Sequence, residues 1–230
     1  MSEPAGGSLI PVTDEQAKAL QEAFKLGGKG LDSAKALGGY LTSILGSLPE
    51  DLVGLLGADW IRARRVENMI NLGRAAKERL DARGVDPEPV SLSVAIPLLE
   101  HAADESREEL LDLWARLLAA AMDPARSKRV RQTFLDTLKS LDPVDALVLL
   151  RVPDLKRGQD SSENAYIIAA NLLGISREEA DISLHRLADL GCIRDRDGSR
   201  GERAVFIGRA VLSSYGVELL RILSDEPLPA

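Results

Sequence analysis

The chain has a single cysteine, Cys192, two histidines and only 3% aromatic residues. One thiol excludes an intramolecular disulfide and a thiolate metal cluster, and a reducing cytosol is the expected compartment. With so few aromatics the core has to be built from Leu, Ala, Ile and Val. That favours helices, because strands draw on aromatic and β-branched runs. No stretch reaches the roughly 18 apolar residues of a membrane-spanning helix. The longest run without charge, Ala36 to Pro49, holds 14 residues, enough to lie in an interface and too few to cross it. The opening residues lack a basic region followed by an apolar run, so no secretory signal is expected. An excess of positive charge is missing as well. The formal charge of −7 and a pI near 5.0 argue against chain-wide attraction to nucleic acid, while leaving room for a local basic patch.

What is present is a globular balance of 45% apolar and 28% charged residues over 230 positions, enough for one large domain or two small ones. The most unusual stretch is Gly27 to Gly57, with eight glycines among leucines that return at helical spacing. Small residues recur at every fourth position: Gly30, Ala34, Gly38, Thr42 and Gly46. On a helix that row drifts by about 40° per step and leaves a shallow groove. Another helix can approach such a groove closely, as in small-xxx-small packing. Each glycine costs a helix about 1 kcal/mol against alanine, so a partner is expected to stabilise the segment. Three readings stand: internal packing, a surface for self-association or a membrane interface, and a phosphate-cradling loop. The last lacks both the P-loop spacing and a preceding strand.

Residues 1–12 read as a loose tail and 13–57 as an amphipathic, glycine-rich helical segment that opens on a Thr13 cap. A helical core over 58–141 follows, then a smaller unit over 142–223 and a short tail, 224–230. In the core, Asp59 caps a helix with Trp60, Ile61, Val66, Met69, Ile70, Leu72 and Leu80 on its buried face, and Gly84 ends it. Its opposite face carries Arg62, Arg64, Arg65, Arg74, Lys77, Arg79 and Arg83. Ser91 or Ser93 opens a second helix, with Pro97 in its first turn or kinking it. Ser106 caps a third, in which Leu110, Leu111, Trp114, Leu117, Leu118 and Ala121 recur at helical spacing. Ser127 or Lys128 opens a fourth. Asp142-Pro143 is an N-cap with proline at the first helical position. Beyond it come a helix over Asn164 to Leu173 and another capped by Ser176 with Glu179 three residues on. The apolar positions of the latter are Ala180, Ile182, Leu184, Leu187 and Leu190. Strands over 192–194 and 204–207 and a closing helix from Leu212 to Leu223 complete the order of a winged helix-turn-helix.

Arg62, Arg64 and Arg65 could meet an anionic surface, although a solvated face paired with nearby acids is the expected role. Glu100, His101, Asp104 and Glu105 form the one His-plus-carboxylate cluster. His101 and Glu105 share a helix face and could hold one edge of a metal site. The other histidine, His185, is far along the chain, and an acid-rich surface helix is the expected account. Cys192 reads as a buried small hydrophobe, and Trp60 and Trp114 as core anchors. In the winged unit the exposed positions of 177–189 are mostly acidic, so phosphate would be repelled there. The hairpin arginines Arg194, Arg196, Arg200 and Arg203 leave contact through the wing alone as an option.

Four segments, beginning at Trp60, Val90, Glu109 and Phe134, carry a family resemblance. The most specific reads L-x-x-L-W-A-x-L-L-A-x-A-x-D-P over 110–124, with P-L-L-E at 97–100 ahead of it. They resemble the Abi-alpha family, small bacterial proteins associated by name with abortive infection, a form of phage defence. The resemblance covers Gly27 to Val152 and implies a defence role. It implies no catalytic residues, and no cofactor or metal is expected. The expectation is a mainly α-helical, non-enzymatic protein, cytoplasmic or peripheral to the inner membrane. It would self-associate or engage a membrane through the glycine-rich segment, with a protein partner on the C-terminal unit. The alternative is a winged-helix DNA-binding regulator.

Overall fold

The computed structural model describes residues 59–155, 164–195 and 210–225. The glycine-rich segment with Gly30, Ala34, Gly38, Thr42 and Gly46 lies outside them, as do Arg196, Arg200 and Arg203. Helix α1 is Asp59–Ala82, α2 Leu92–Asp104, α3 Glu108–Met122, α4 Gln132–Lys139 and α5 Pro143–Leu155. They are followed by α6 Ala165–Leu173, α7 Arg177–Asp189, β1 Ile193–Asp195, β2 Ala210–Leu212 and α8 Ser214–Leu223. The protein is thus mostly helical, with one small antiparallel hairpin near the C-terminal end.

Helix α3 is the axle. Its second half, WARLLAAAM, is apolar nearly all round, and Leu117 to Met122 are buried without a break. A helix of that kind has to be enclosed by others. Here α1, α2, α4, α5 and α8 all pack against it. The alanines at 119, 120 and 121 let those neighbours approach closely. Trp114 supplies the bulk on the same helix and is buried beside the His101 ring, centroids 5.9 Å apart. Leu98 and Leu99 of α2 and Phe134 and Leu135 of α4 fill the space around it.

Several ends follow their sequence signals. Gly84, Gly174 and Gly191 adopt φ of 64°, 66° and 73°, the left-handed conformation in which helices stop. Ser176 and Glu179 form a reciprocal capping box at α7. Pro143 opens α5, and Asp145 reaches back to accept from the Asp142 N–H at 2.9 Å.

Other ends differ from the expectation. Of the two places open to Pro97, the first turn is not the one taken: it lies within α2. Ser106 does not cap α3. The carboxylate of Glu105 accepts from the amides of Ser106 and Arg107 instead, both at 2.9 Å, because an acid there serves two orphan donors at once. Residues Ser127–Arg129 form only a 3-10 turn, and α4 begins at Gln132, leaving Val130 and Arg131 between them. The strand paired with β1 is Ala210–Leu212, with Ile193 opposite Leu212 and Arg194 opposite Val211. Leu212 is therefore strand rather than the start of the last helix; residues 204–207 lie outside the described residues.

Helix α5 packs on α6, α7 and β2 and also on α3, and α8 returns to α3, so one apolar cluster runs from Met69 to Leu223. Tyr215 of α8 donates to the Thr133 carbonyl at 2.8 Å, and its ring meets that of Phe134 at a tilt of 60°. Entry into α8 is tight. Ser213 Oγ caps the Gly216 N–H at 2.9 Å, and a Cβ on Gly216 would sit 1.9 Å from the Cys192 carbonyl oxygen. The obstacle is backbone and cannot rotate away. Gly216→Ala is therefore expected to cost about 2–3 kcal/mol, as overpacking does. A thermal melt should show this as a drop of roughly 5–10 °C; an unchanged melting temperature would mean that the approach is looser than described.

Candidate functional site

Arginine and carboxylate side chains carry most of the polar structure. At 100° per residue Arg65 and Arg79 fall within about 40° of one another on α1, on the flank that borders the core, and Arg83 follows just past the helix end. They are not part of a solvated face. Arg65 grips Asp104 of α2 through two hydrogen bonds of 2.5 and 3.0 Å. Arg79 pairs with Asp112 of α3, and Arg83 with Asp123 at 3.4 Å. Lys77 does follow the local rule, meeting Asp81 four residues on at 2.5 Å. Arg64, Arg74 and Lys77 are exposed. Arg62 lies in α1, and its side chain is outside the described ones. The candidate anionic-surface trio therefore splits: Arg65 is engaged within the fold and Arg64 points outward.

The junction between α2 and α3 is held by charge. Glu105 is buried, not on an acidic surface as expected. Besides the two amides it accepts from Arg107 Nε at 2.8 Å and Arg107 Nη2 at 2.9 Å. Arg107 also donates to Asp142 at 3.1 Å. Burial pushes the Glu105 carboxyl up, but the hydrogen bonds from Arg107 and Ser106 together outweigh it and hold it below the usual glutamate range. Buried Asn68 of α1 completes the junction, its amide donating to the carbonyls of Ala103 and Glu105 at the end of α2.

A depressed carboxyl stabilises the fold above its ordinary range, and that contribution is lost as pH falls through the folded-state value. Thermal melts from pH 7 to pH 3 should therefore show wild type losing stability faster than Glu105→Gln, with the gap between them closing at the acid end. Parallel curves would remove this role.

The His-plus-carboxylate cluster is not assembled as a metal edge. Glu105 is occupied by Arg107, and Asp104 by Arg65. His101 packs on Trp114, and burial, helped by Lys139, pushes its imidazole below the ordinary histidine range. His185 lies against Asp181, Nδ1 2.9 Å from the backbone carbonyl. Among the described residues no three His, Cys, Asp or Glu side chains converge as metal ligands would. Cys192 is buried, and burial alone pushes its thiol up to about 11, the opposite of an activated nucleophile. A cleft of about 250 Å³ beside Val90, Val94, Ala121 and Val130 offers Lys128 as its one charged side chain.

Helix α7 shows its outward side clearly. Ala180, Ser183, Leu184 and Leu187 are buried, whereas Ile182 is 68% exposed, contrary to its expected core role. Ile182 sits about 100° from Ser183 and so leaves the packed stripe. Around it Glu178, Glu179 and Asp189 are exposed, and Arg186 donates to the Ser140 carbonyl at 3.0 Å. On the hairpin, Arg194 is exposed. Residue type alone misses Asn68, Asp225 and the outward turn of Ile182; the place of Ile182 on the α7 wheel, beside Glu178, Glu179 and Asp189, is the signal for the last.

Together these features define a helical scaffold whose buried charges bind its own helices to one another. No helix among the described residues is long and apolar enough to cross a membrane. The chain belongs to the abortive infection alpha family, whose model matches residues 64–206. No curated protein and no solved structure matches the chain. The matched region starts beyond the glycine-rich segment and runs through α7 and β1, so it lies further toward the C-terminus than the resemblance read from 27–152.

Proposed function

We propose that this protein is a non-enzymatic phage-defence protein of the abortive-infection type. It acts by self-association or by engaging a membrane surface through the glycine-rich segment, while the unit over 142–223, α5 to α8 with the hairpin, serves as a winged-helix-like docking module for a protein partner. Family membership over 64–206 is the observation that carries the defence role. The small-residue row between Gly30 and Gly46 supports close apposition of another surface. An exposed isoleucine ringed by Glu178, Glu179 and Asp189 favours a protein partner over phosphate.

The test has two parts. Bacteria expressing the protein are challenged with a panel of phages, and Gly38→Leu and Gly46→Leu variants are compared with wild type. The same proteins are then examined for oligomer mass and for flotation with, and leakage of, anionic liposomes. Protection that depends on both glycines, with a matching change in mass or lipid binding, supports the reading. Full protection by both variants, with no lipid binding and no change in mass, overturns the mechanism.

Exposed Arg194 on β1 keeps a second reading in play, a DNA-binding regulator that contacts DNA through its wing. A gel shift that weakens steeply with salt and disappears in Arg196→Ala plus Arg200→Ala would favour it.

A further inference from the structure

The end of α8 is met by guanidinium groups from distant parts of the chain. Arg116 Nη1 donates to the Leu223 carbonyl at 3.2 Å and to Asp225 Oδ2 at 2.7 Å. Arg126 Nη1 donates to the Ser224 carbonyl at 2.6 Å. Arg79 Nε lies 3.1 Å from Asp225 Oδ1, close enough for an ion pair but not aligned for a hydrogen bond, so this buried donor is left unmet. With Arg83, four arginines face three carboxylates among the described residues: Asp112, Asp123 and Asp225. Asp112 and Asp123 belong to α3 and its end. Asp225 alone sits beyond the last helix, and its side chain is 49% exposed.

We propose that Arg79 and Arg116 form an anion site that Asp225 occupies in cis, and that a phosphate monoester dianion can take its place and free Ser224 and Asp225. The charge arithmetic favours the exchange. Among the described side chains, four arginines against Asp112 and Asp123 leave two positive charges; one carboxylate neutralises one of them, a dianion both. The shape favours it too, because guanidinium forks match phosphate oxygens, and a tetrahedral group can reach the Arg79 Nε–H that the planar carboxylate misses. Asp225 competes as a tethered group at high effective concentration, so the site binds free phosphate weakly until that carboxylate is removed. This proposal is independent of the defence reading.

Calorimetric titration with inorganic phosphate and with a nucleoside monophosphate tests it on the full chain. Asp225→Asn should bind at least about tenfold tighter than wild type, which corresponds to about 1.4 kcal/mol. Affinity should rise between pH 5.5 and 7.5 as the dianion forms. Arg116→Lys, which keeps the charge and loses the fork, should weaken it again. Hydrogen exchange at 216–225 in wild type should quicken when phosphate is added. Vesicles containing phosphatidic acid separate a lipid headgroup from a soluble ligand: capture of Asp225→Asn by these vesicles without binding of either soluble phosphate would assign the site to lipid. No phosphate of any source binding to Asp225→Asn, or binding unaffected by Arg116→Lys, overturns the proposal.

Discussion

Trp114→Ala is expected to remove about 3–5 kcal/mol of stability, the range for a large buried aromatic. The indole is buried in the middle of α3, the helix that every other part of the first half touches. Its neighbours cannot collapse into the gap easily, because α3 is fixed on several sides at once and the alanines at 119–121 have nothing to extend. Total stabilities of domains are only about 5–15 kcal/mol, so the variant should be partly unfolded at growth temperature. Urea denaturation reads the effect directly, as a lower midpoint at unchanged slope. Trp114→Phe should recover much of the loss. A midpoint for Trp114→Ala within error of wild type would show that α3 is not the central support.

Asp123→Ala should be comparably damaging for a different reason. The Arg126 side chain is 3% exposed and that of Asp123 5%, with Arg83 sharing the same carboxylate oxygen. Burial, followed by the neighbouring Arg83, already pulls the Arg126 guanidinium below its ordinary range. Removing the acid takes away the carboxylate that two buried guanidinium groups share and releases the Ala125 N–H it accepts at 2.9 Å. Breaking a buried pair from one side costs about 3–5 kcal/mol. Because the loss comes chiefly from unpaired charge, adding Arg126→Met should restore part of it. That sign of coupling separates the electrostatic account from simple loss of a turn-forming aspartate. If the double variant is less stable than Asp123→Ala alone, the charge argument fails and the turn is what matters.

Much of the helical layout is legible in the residues because the signals are local. Gly84, Gly174 and Gly191 stop helices where they stand, Ser176 with Glu179 starts one, and the 3.6-residue recurrence of leucines marks the faces. What local pattern cannot supply is partner choice. Arg65, Arg79 and Arg83 look like one side of a solvated helix until α2 and α3 bring Asp104, Asp112 and Asp123 against them. Glu105 looks like one more acid on a polar surface until Arg107 and two amides close round it. Ile182 counts as core by residue type, although its place on the α7 wheel turns it outward. The strand at 210–212 is similar: three apolar residues before a helix cap look like part of the helix, and only the pairing with β1 marks them as strand.

The return of α8 to α3 bears on how the chain acquires its shape during synthesis. Arg116 meets the Leu223 carbonyl across 107 positions and Asp225 across 109. Helix α3 and its first partners leave the ribosome long before the residues that seal them. Until then the surface awaiting α8 stays uncovered on the nascent polypeptide, and contacts of such long separation form slowly. Closure by α8 is therefore a late event, and a cell short of holding chaperones should accumulate this protein in aggregates before it loses any of the folded form.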